Sequence, residues 1–194
     1  KIILFIMVKI IAEIGINHNG SMEECKKMIM LAKVAGCDYA KIQKRNPDVC
    51  VPEHQKSVMR KTPWGEMTYL EYKHRLEFNE EQIKELCEYS KEIGIDFFVS
   101  VWDLDSVKLM SKYSRIVKLG SPVINDLELL KATREAFDFV IMSTGMSTEE
   151  EIEKAVAVAK PDVIMHTNST YPCKSEDLNL RYMEHLRGKY GETA

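Results

Sequence analysis

The chain has 194 residues, 45% of them hydrophobic, enough to bury one globular core, which excludes a disordered or fibrous segment. Thirty acidic and 27 basic residues give a formal net charge of −3. The basic ones are scattered along helical faces, so nucleic acid is not an expected partner, and any anionic ligand must be held by a few local cations. Five cysteines, Cys25, Cys37, Cys50, Cys87 and Cys173, form no C-x-x-C pair and are odd in number. That excludes a zinc ribbon or a disulfide framework and fits a reducing, cytoplasmic setting.

The apolar run at residues 2–8 is shorter than a membrane span and lacks a small-residue cleavage site, so neither a membrane anchor nor an export signal is read there. Met7 before Val8, Lys9 and Ile10 makes an ordinary start, with residues 1–6 lying upstream of it. The alternative is a strand of a hairpin at the bottom of the fold.

From residue 9 onward, short apolar runs alternate with longer amphipathic segments over a single domain, the pattern of repeated βα units. A first strand is expected over 9–15. Ser21 as N-cap, with Glu24 three residues later, opens a helix to about Ala35, which Gly36 stops. A second strand over 39–43 precedes a long polar excursion through Pro47, Pro52, Pro63 and Gly65 that returns in a helical segment at 69–76. Excursions of that length usually carry function. Asn79 caps a helix over 80–93, with Ile83, Leu86, Cys87 and Ser90 at helical spacing, and Gly94 ends it before a strand over 96–101. Further units are a strand at 116–119 with a helix at 126–136, a strand at 139–143 with a helix at 148–159, and a strand at 163–167. That makes six strands, all of one direction.

Parallel strands with helical crossovers close either into a (β/α)8 barrel or into an open doubly wound sheet. Neither G-x-G-x-x-G nor G-x-x-x-x-G-K-[ST] is present, which argues against a nucleotide fold. Polar residues gather instead just past each strand: Glu13, Asn17 and His18; Lys41 and Gln43; Asp103; Lys118 and Ser121; Ser143 and Thr144; Asn168, Ser169 and Tyr171. In a barrel those ends share one mouth.

Lys41 and Lys118 sit inside apolar strands. A buried ammonium demands an anionic partner, which is either a salt bridge to Glu13 or, with both lysines at one level, a bound phosphate or carboxylate. Ser121, Ser143 and Thr144, with amides freed by Gly120 and Gly145, suit the same anion. Around Ser143-Thr-Gly-Met the plain alternative is a turn into a helix capped by Ser147. His18 in Asn17-His-Asn-Gly reads either as a catalytic group or as a turn residue bonding the backbone. The histidines 18, 54, 74, 166 and 185 lack the spacing of a zinc site. Trp64 and Tyr69 are either a lid or packing beneath a long loop.

The segments Ile11-Ala-Glu-Ile-Gly-Ile-Asn-His-Asn-Gly-Ser, Ala40-Lys-Ile-Gln, Val117-Lys-Leu-Gly-Ser, Ile141-Met-Ser-Thr-Gly-Met and Ser169-Thr-Tyr-Pro with Glu176-Asp-Leu-Asn-Leu resemble, in order, the N-acetylneuraminate (sialic acid) synthase family, including legionaminic- and pseudaminic-type synthases. The resemblance implies a (β/α)8 barrel, here reduced to about its first six units over residues 1–194. It also implies condensation of phosphoenolpyruvate with an N-acetylhexosamine such as N-acetylmannosamine, releasing phosphate, as a step of surface polysaccharide synthesis.

Carried over by position, Lys41, Lys118, Ser121, Ser143 and Ser169 match phosphoenolpyruvate-binding positions, and Glu13, Gln43 and Tyr171 match positions at the amino-sugar end, with Glu13 orienting hydroxyls or shuttling a proton. Glu13, Lys41 and Lys118 are the candidate catalytic groups. The resemblance further implies a homodimer without membrane association and a divalent metal, manganese or magnesium. Two histidines of the last two strands, expected beyond Ala194 together with an antifreeze-like domain, would hold that metal, so none is expected on this chain. Two departures bear on the sugar pocket: Ser100-Val-Trp-Asp stands where the family pattern is Ser-Thr-Pro-Phe, and Gly120-Ser-Pro-Val where it is Gly-Ser-Gly and an acid. A different phosphoenolpyruvate-dependent sugar-acid synthase and an inactive barrel fragment are the alternatives.

Overall fold

A computed structural model describes residues 8–191; the reading of residues 1–6 lies outside them. Strand β1 (Ile11–Gly15) leads through a polar turn to helix α1 (Met22–Val34) and strand β2 (Tyr39–Lys44). The long excursion then folds into two single-turn helices, α2 (Pro47–Cys50) and α3 (Glu53–Lys56), an antiparallel hairpin of β3 (Met59–Thr62) and β4 (Gly65–Thr68), and helix α4 (Tyr69–Leu76). The remaining units are α5 (Glu80–Ile93), β5 (Asp96–Val101), α6 (Leu104–Met110), β6 (Ile116–Leu119), α7 (Leu127–Ala136), β7 (Phe139–Ser143), α8 (Glu149–Ala159), β8 (Val163–Met165) and α9 (Tyr182–Tyr190).

One parallel sheet in the order β1-β2-β5-β6-β7-β8 carries the chain, and it curls enough for residues beyond β1 and beyond β8 to line the same cleft. The fold is therefore mixed α/β with a six-stranded parallel half-barrel. The expectation that every strand runs one way is corrected by the β3–β4 hairpin. Its strands, Met-Arg-Lys-Thr and Gly-Glu-Met-Thr, are four residues a side and carry no alternating pattern that would stand out within a Pro-rich stretch.

Local chemistry sets most boundaries. Asn79 and Gln82 close a capping box at α5, with reciprocal bonds of 2.9 and 3.0 Å, and Gly94 ends that helix in the left-handed region at φ 75°. At α8 the cap is Thr148, paired with Glu151, rather than Ser147, whose hydroxyl instead donates to the Gly145 carbonyl. Half of the box expected at α1 forms: Ser21 accepts from the Glu24 amide, while the Glu24 carboxylate turns to Lys27. The edge strands are shorter than expected, beginning at Ile11 and ending at Met165; at the first of these ends the Ile10 amide donates to the Asp38 carboxylate. Helices α6 and α9 were not expected from the pattern; both are short and half-polar.

Side chains alternate along each strand. Ile42, Val99, Val101, Val117, Leu119, Val140 and Met142 are buried outward against Ile29, Ile83, Leu86, Met110, Leu129, Leu130 and Ile152 of the surrounding helices, and this is the main hydrophobic core. Their neighbours Lys41, Gln43, Ser100, Lys118 and Ser143 face the other way, into the cleft. The core thus fixes which side chains can reach the site: a slip of one residue in β2, β5, β6 or β7 would exchange a core aliphatic for a lysine or serine.

Candidate active site

At the carboxyl ends of the six parallel strands lies a cleft of about 700 Å³. Lys41, only 1% exposed, forms part of its floor. The ammonium is 2.8 Å from Glu13 Oε2 and donates to Ser100 Oγ at 2.7 Å and to the Ile42 carbonyl at 3.3 Å. Burial pushes Lys41 down from the ordinary lysine value to about 8, with Glu13 opposing the shift and the positive charge of Lys118 adding to it. Lys118, one strand further round, is also shifted down by burial, against a raising influence from Glu13. No hydrogen bond or ion pair engages Lys118 among the described residues. Of the two alternatives in the sequence, the Glu13–Lys41 salt bridge forms, and Lys118, with no such partner among the described residues, lines the same cleft.

A second group of polar atoms lies on the same cleft. The Gly145 amide donates to Ser121 Oγ and Thr167 Oγ1, both at 2.9 Å, and those two hydroxyls are 3.2 Å apart. A Cβ on Gly145 would stand 2.5 Å from Ser169 Oγ, so Ser169 completes the ring of hydroxyls and only glycine leaves it open. Ser143, 2% exposed, keeps its hydroxyl buried without a partner at the edge of the cleft. A buried hydroxyl left unpaired costs roughly 1–3 kcal/mol, which an arriving oxyanion relieves. Gln43 and Tyr171 lie at the rim, the latter 94% exposed.

Of the residues read from sequence, Glu13, Lys41, Gln43, Lys118, Ser121, Ser143, Ser169 and Tyr171 all line this one cleft, as do Asn17 and Asn168. Asp103 does not. It caps α6 through the Ser106 amide at 2.8 Å and accepts from the Asn46 amide at 2.6 Å, tying the excursion to β5. His18 is a buried turn residue that accepts from the Gly20 amide at 3.0 Å and stacks on Phe78; burial, with Arg45 adding, pushes it down to about 4, so it is neutral. Trp64 packs on Tyr72 beneath the Arg75 guanidinium, and Tyr69 packs under Arg60 and Lys73, so both follow the packing alternative and neither lines the cleft.

Ser100, Thr167 and Trp102 also line the cleft and were not singled out as site residues in the sequence. Ser100 carried the same signal as the lysines, a polar residue within the apolar run Phe97-Phe98-Val99-Ser100-Val101.

Lys41 yields a pH dependence. An anion needs the protonated amine, so affinity for inorganic phosphate falls as pH rises through about 8. The stability effect has the opposite sign. Below about 8 both folded and unfolded states hold the proton, and burying the charge is a constant cost. Between about 8 and 10.5 the unfolded state binds more protons, so the cost is relieved and this group's contribution rises with pH. Calorimetric titration with phosphate at pH 7 and pH 9.5 checks the first effect; equal affinities would remove Lys41 from the site.

The parallel α/β half-barrel thus turns two desolvated lysines and a ring of hydroxyls into one mouth at the carboxyl ends of its strands, the end at which barrels of this kind carry their sites. The comparisons carry this to a family: the model described as the NeuB family matches residues 28–194, and the chain belongs to that family. It is 34% identical to N-acetylneuraminate-9-phosphate synthase of Drosophila melanogaster, over 96% of this chain and 52% of that protein. It is 32% identical to N,N'-diacetyllegionaminic acid synthase of Campylobacter jejuni, over 93% of this chain and 57% of that one. Among solved structures, N-acetylneuraminic acid synthetase from Leptospira borgpetersenii, crystallised with citrate, superposes with a TM-score of 0.85 at 28% identity, covering 95% of this chain and 62% of that one. The chain spans about half the length of the curated relatives it matches.

Proposed function

We propose that the protein is a nonulosonic acid synthase, a transferase that condenses phosphoenolpyruvate with an N-acetylated amino sugar of the N-acetylmannosamine type and releases inorganic phosphate. The observation that carries the reading is the convergence of Lys41 and Lys118 on one cleft with the unpartnered Ser143 hydroxyl. In this proposal the six-stranded sheet is the first part of a (β/α)8 barrel whose complete form is a cytoplasmic homodimer. Among the described residues no helix is long and apolar enough to cross a membrane.

In the reaction, the electron pair of the enol double bond forms the new bond from C3 to the sugar aldehyde carbon, and the aldehyde oxygen takes a proton. Water adds at C2, and the C2–O bond then breaks with phosphate leaving. Lys41, Lys118, Ser121, Ser143, Ser169 and the Gly145 region hold the phosphate and carboxylate and offset their charge, a positioning and electrostatic role. Glu13, Gln43 and Tyr171 face the sugar end, where Glu13, half-exposed on its Lys41 partner, is placed to orient hydroxyls or pass a proton.

The divalent metal belongs in this proposal to the complete protein. The described residues of this chain do not fit one, since no group of three or more His, Cys, Asp or Glu side chains is placed to hold an ion, and no step is assigned to it here. The test is incubation of the complete protein with phosphoenolpyruvate, manganese and a panel of N-acetylhexosamines. Phosphate release with at least one is expected. Phosphoenolpyruvate bound but no sugar consumed would favour a different sugar-acid synthase, and no binding at all would leave a fold without the activity.

A further inference from the structure

Strand β1 loses its register with β2 where the site begins. Glu13 stands opposite Lys41, but the next residue, Ile42, is met by Gly15, so Ile14 is an extra residue and the ladder bulges. Gly15, at φ 60°, then turns the chain, and the position its Cβ would occupy is 3.4 Å from Glu13 Oε1. The Glu13 carboxylate is half-exposed, so it keeps its place against Lys41 only while the backbone beside it keeps its own.

Past the bulge, His18 binds the turn together. It is buried, its Nδ1 accepts from the Gly20 amide at 3.0 Å, and its ring also meets the Gly15 backbone, so one imidazole spans the turn from end to end. An accepting Nδ1 carries no proton, and the ring is kept neutral by burial and by the Arg45 guanidinium just past β2. The ring lies on Phe78, with centroids 4.4 Å apart and planes 25° from parallel. Gly20 presses so closely on α4 that a Cβ there would overlap the Arg75 carbonyl oxygen. The return of the long excursion, from Arg75 to Phe78, thus supports the end of β1 where pairing with β2 stops.

We propose that His18 is a positioning residue: the neutral ring, seated on Phe78, fixes the turn after β1 and so holds the Glu13 carboxylate against the Lys41 ammonium. The consequence is read at Lys41. Glu13 of β1 favours its charged form, Lys118 of β6 disfavours it, and Ser100 of β5 is its uncharged neighbour. When the turn loosens, the carboxylate is released to solvent and Lys41 gives up its proton at a pH below about 8. Anion affinity then falls early on the alkaline side and is kept on the acid side, where Lys41 is charged either way. A loss of packing alone would lower affinity by one factor at every pH.

The inference rests on the proposed function for its ligand, and the experiment is calorimetric titration of the complete protein with phosphoenolpyruvate from pH 6 to pH 9.5. His18→Phe keeps a ring on Phe78 and loses the acceptor. Its alkaline midpoint is expected to fall by about one pH unit, with affinity about tenfold below the parent at pH 9 and no more than about twofold below it at pH 6. Glu13→Gln is expected to lower the midpoint at least as far, and His18→Phe in the Glu13→Gln background to add no further shift, since both act on one contact. An unmoved midpoint in His18→Phe, a uniform loss at every pH, or additive shifts in the double variant would overturn the inference. Should His18→Phe not fold, Phe78→Leu, which keeps the imidazole and removes the ring beneath it, takes its place, with the same fall expected and the same results counting against it. A parent protein that binds no phosphoenolpyruvate at any pH would remove the proposed function itself, and this inference with it.

Discussion

Lys118→Met in the complete protein is expected to lower kcat/KM by about 10²-fold or more while leaving the fold intact. The ammonium is desolvated, which holds its pKa below the ordinary lysine value, and no carboxylate or hydroxyl is bonded to it among the described residues. Charge in that position costs folding energy and is of use only when an anion arrives. Removing it takes away a charge-assisted contact worth ~1.5–3 kcal/mol in binding. In the transition state, where phosphate leaves, the loss of one preorganised electrostatic group is typically about 10²–10³ in kcat. Met is nearly isosteric with the stem and fills the same space, so the thermal midpoint is expected to hold or rise. Calorimetry with phosphoenolpyruvate and a melt on the same sample read both effects. A variant that still releases phosphate at close to the parent rate would show that the second lysine is not part of the clamp.

Gly145→Ala is expected to have the next largest effect, and for a different reason. The backbone at Gly145 is not in the left-handed region, so alanine meets no conformational penalty there. The obstacle is the space: the methyl group would stand 2.5 Å from Ser169 Oγ and 2.9 Å from Ser121 Oγ and Thr167 Oγ1. Those hydroxyls must turn away, and the buried Gly145 amide then loses its two acceptors, at a cost of roughly 1–3 kcal/mol. A drop of several degrees in Tm should accompany a loss of about 10-fold or more in phosphoenolpyruvate affinity. Full affinity in a variant whose Tm has fallen would mean that the hydroxyl ring serves packing alone.

Much of this architecture was legible without coordinates because it is encoded locally. Asn79 and Gly94 mark helix ends by bonding or accommodating backbone within three or four residues. The strands announce themselves as apolar runs, and Lys41 and Lys118 as charges that have no place in such runs unless something pairs with them. Where local signals were ambiguous, tertiary context decided. Ser147 and Thr148 are equally good caps by composition, and the position of the Gly145 carbonyl takes the Ser147 hydroxyl, leaving Thr148 to cap. Asp103 looks like a mouth residue in sequence, but the nearby Ser106 and Asn46 amides claim both its oxygens.

By itself, then, the amino-acid sequence determined the order of βα units, the caps that bound them and the residue types able to grip an anion, since each depends on neighbours a few positions away. Only the tertiary structure decided that Glu13 pairs directly with Lys41 rather than with Lys118, and that Thr167 and Ser121 share the Gly145 amide. Those relations depend on strand register and on the curl of the sheet. Both are set by the packing of many distant side chains at once, which no short window of sequence contains.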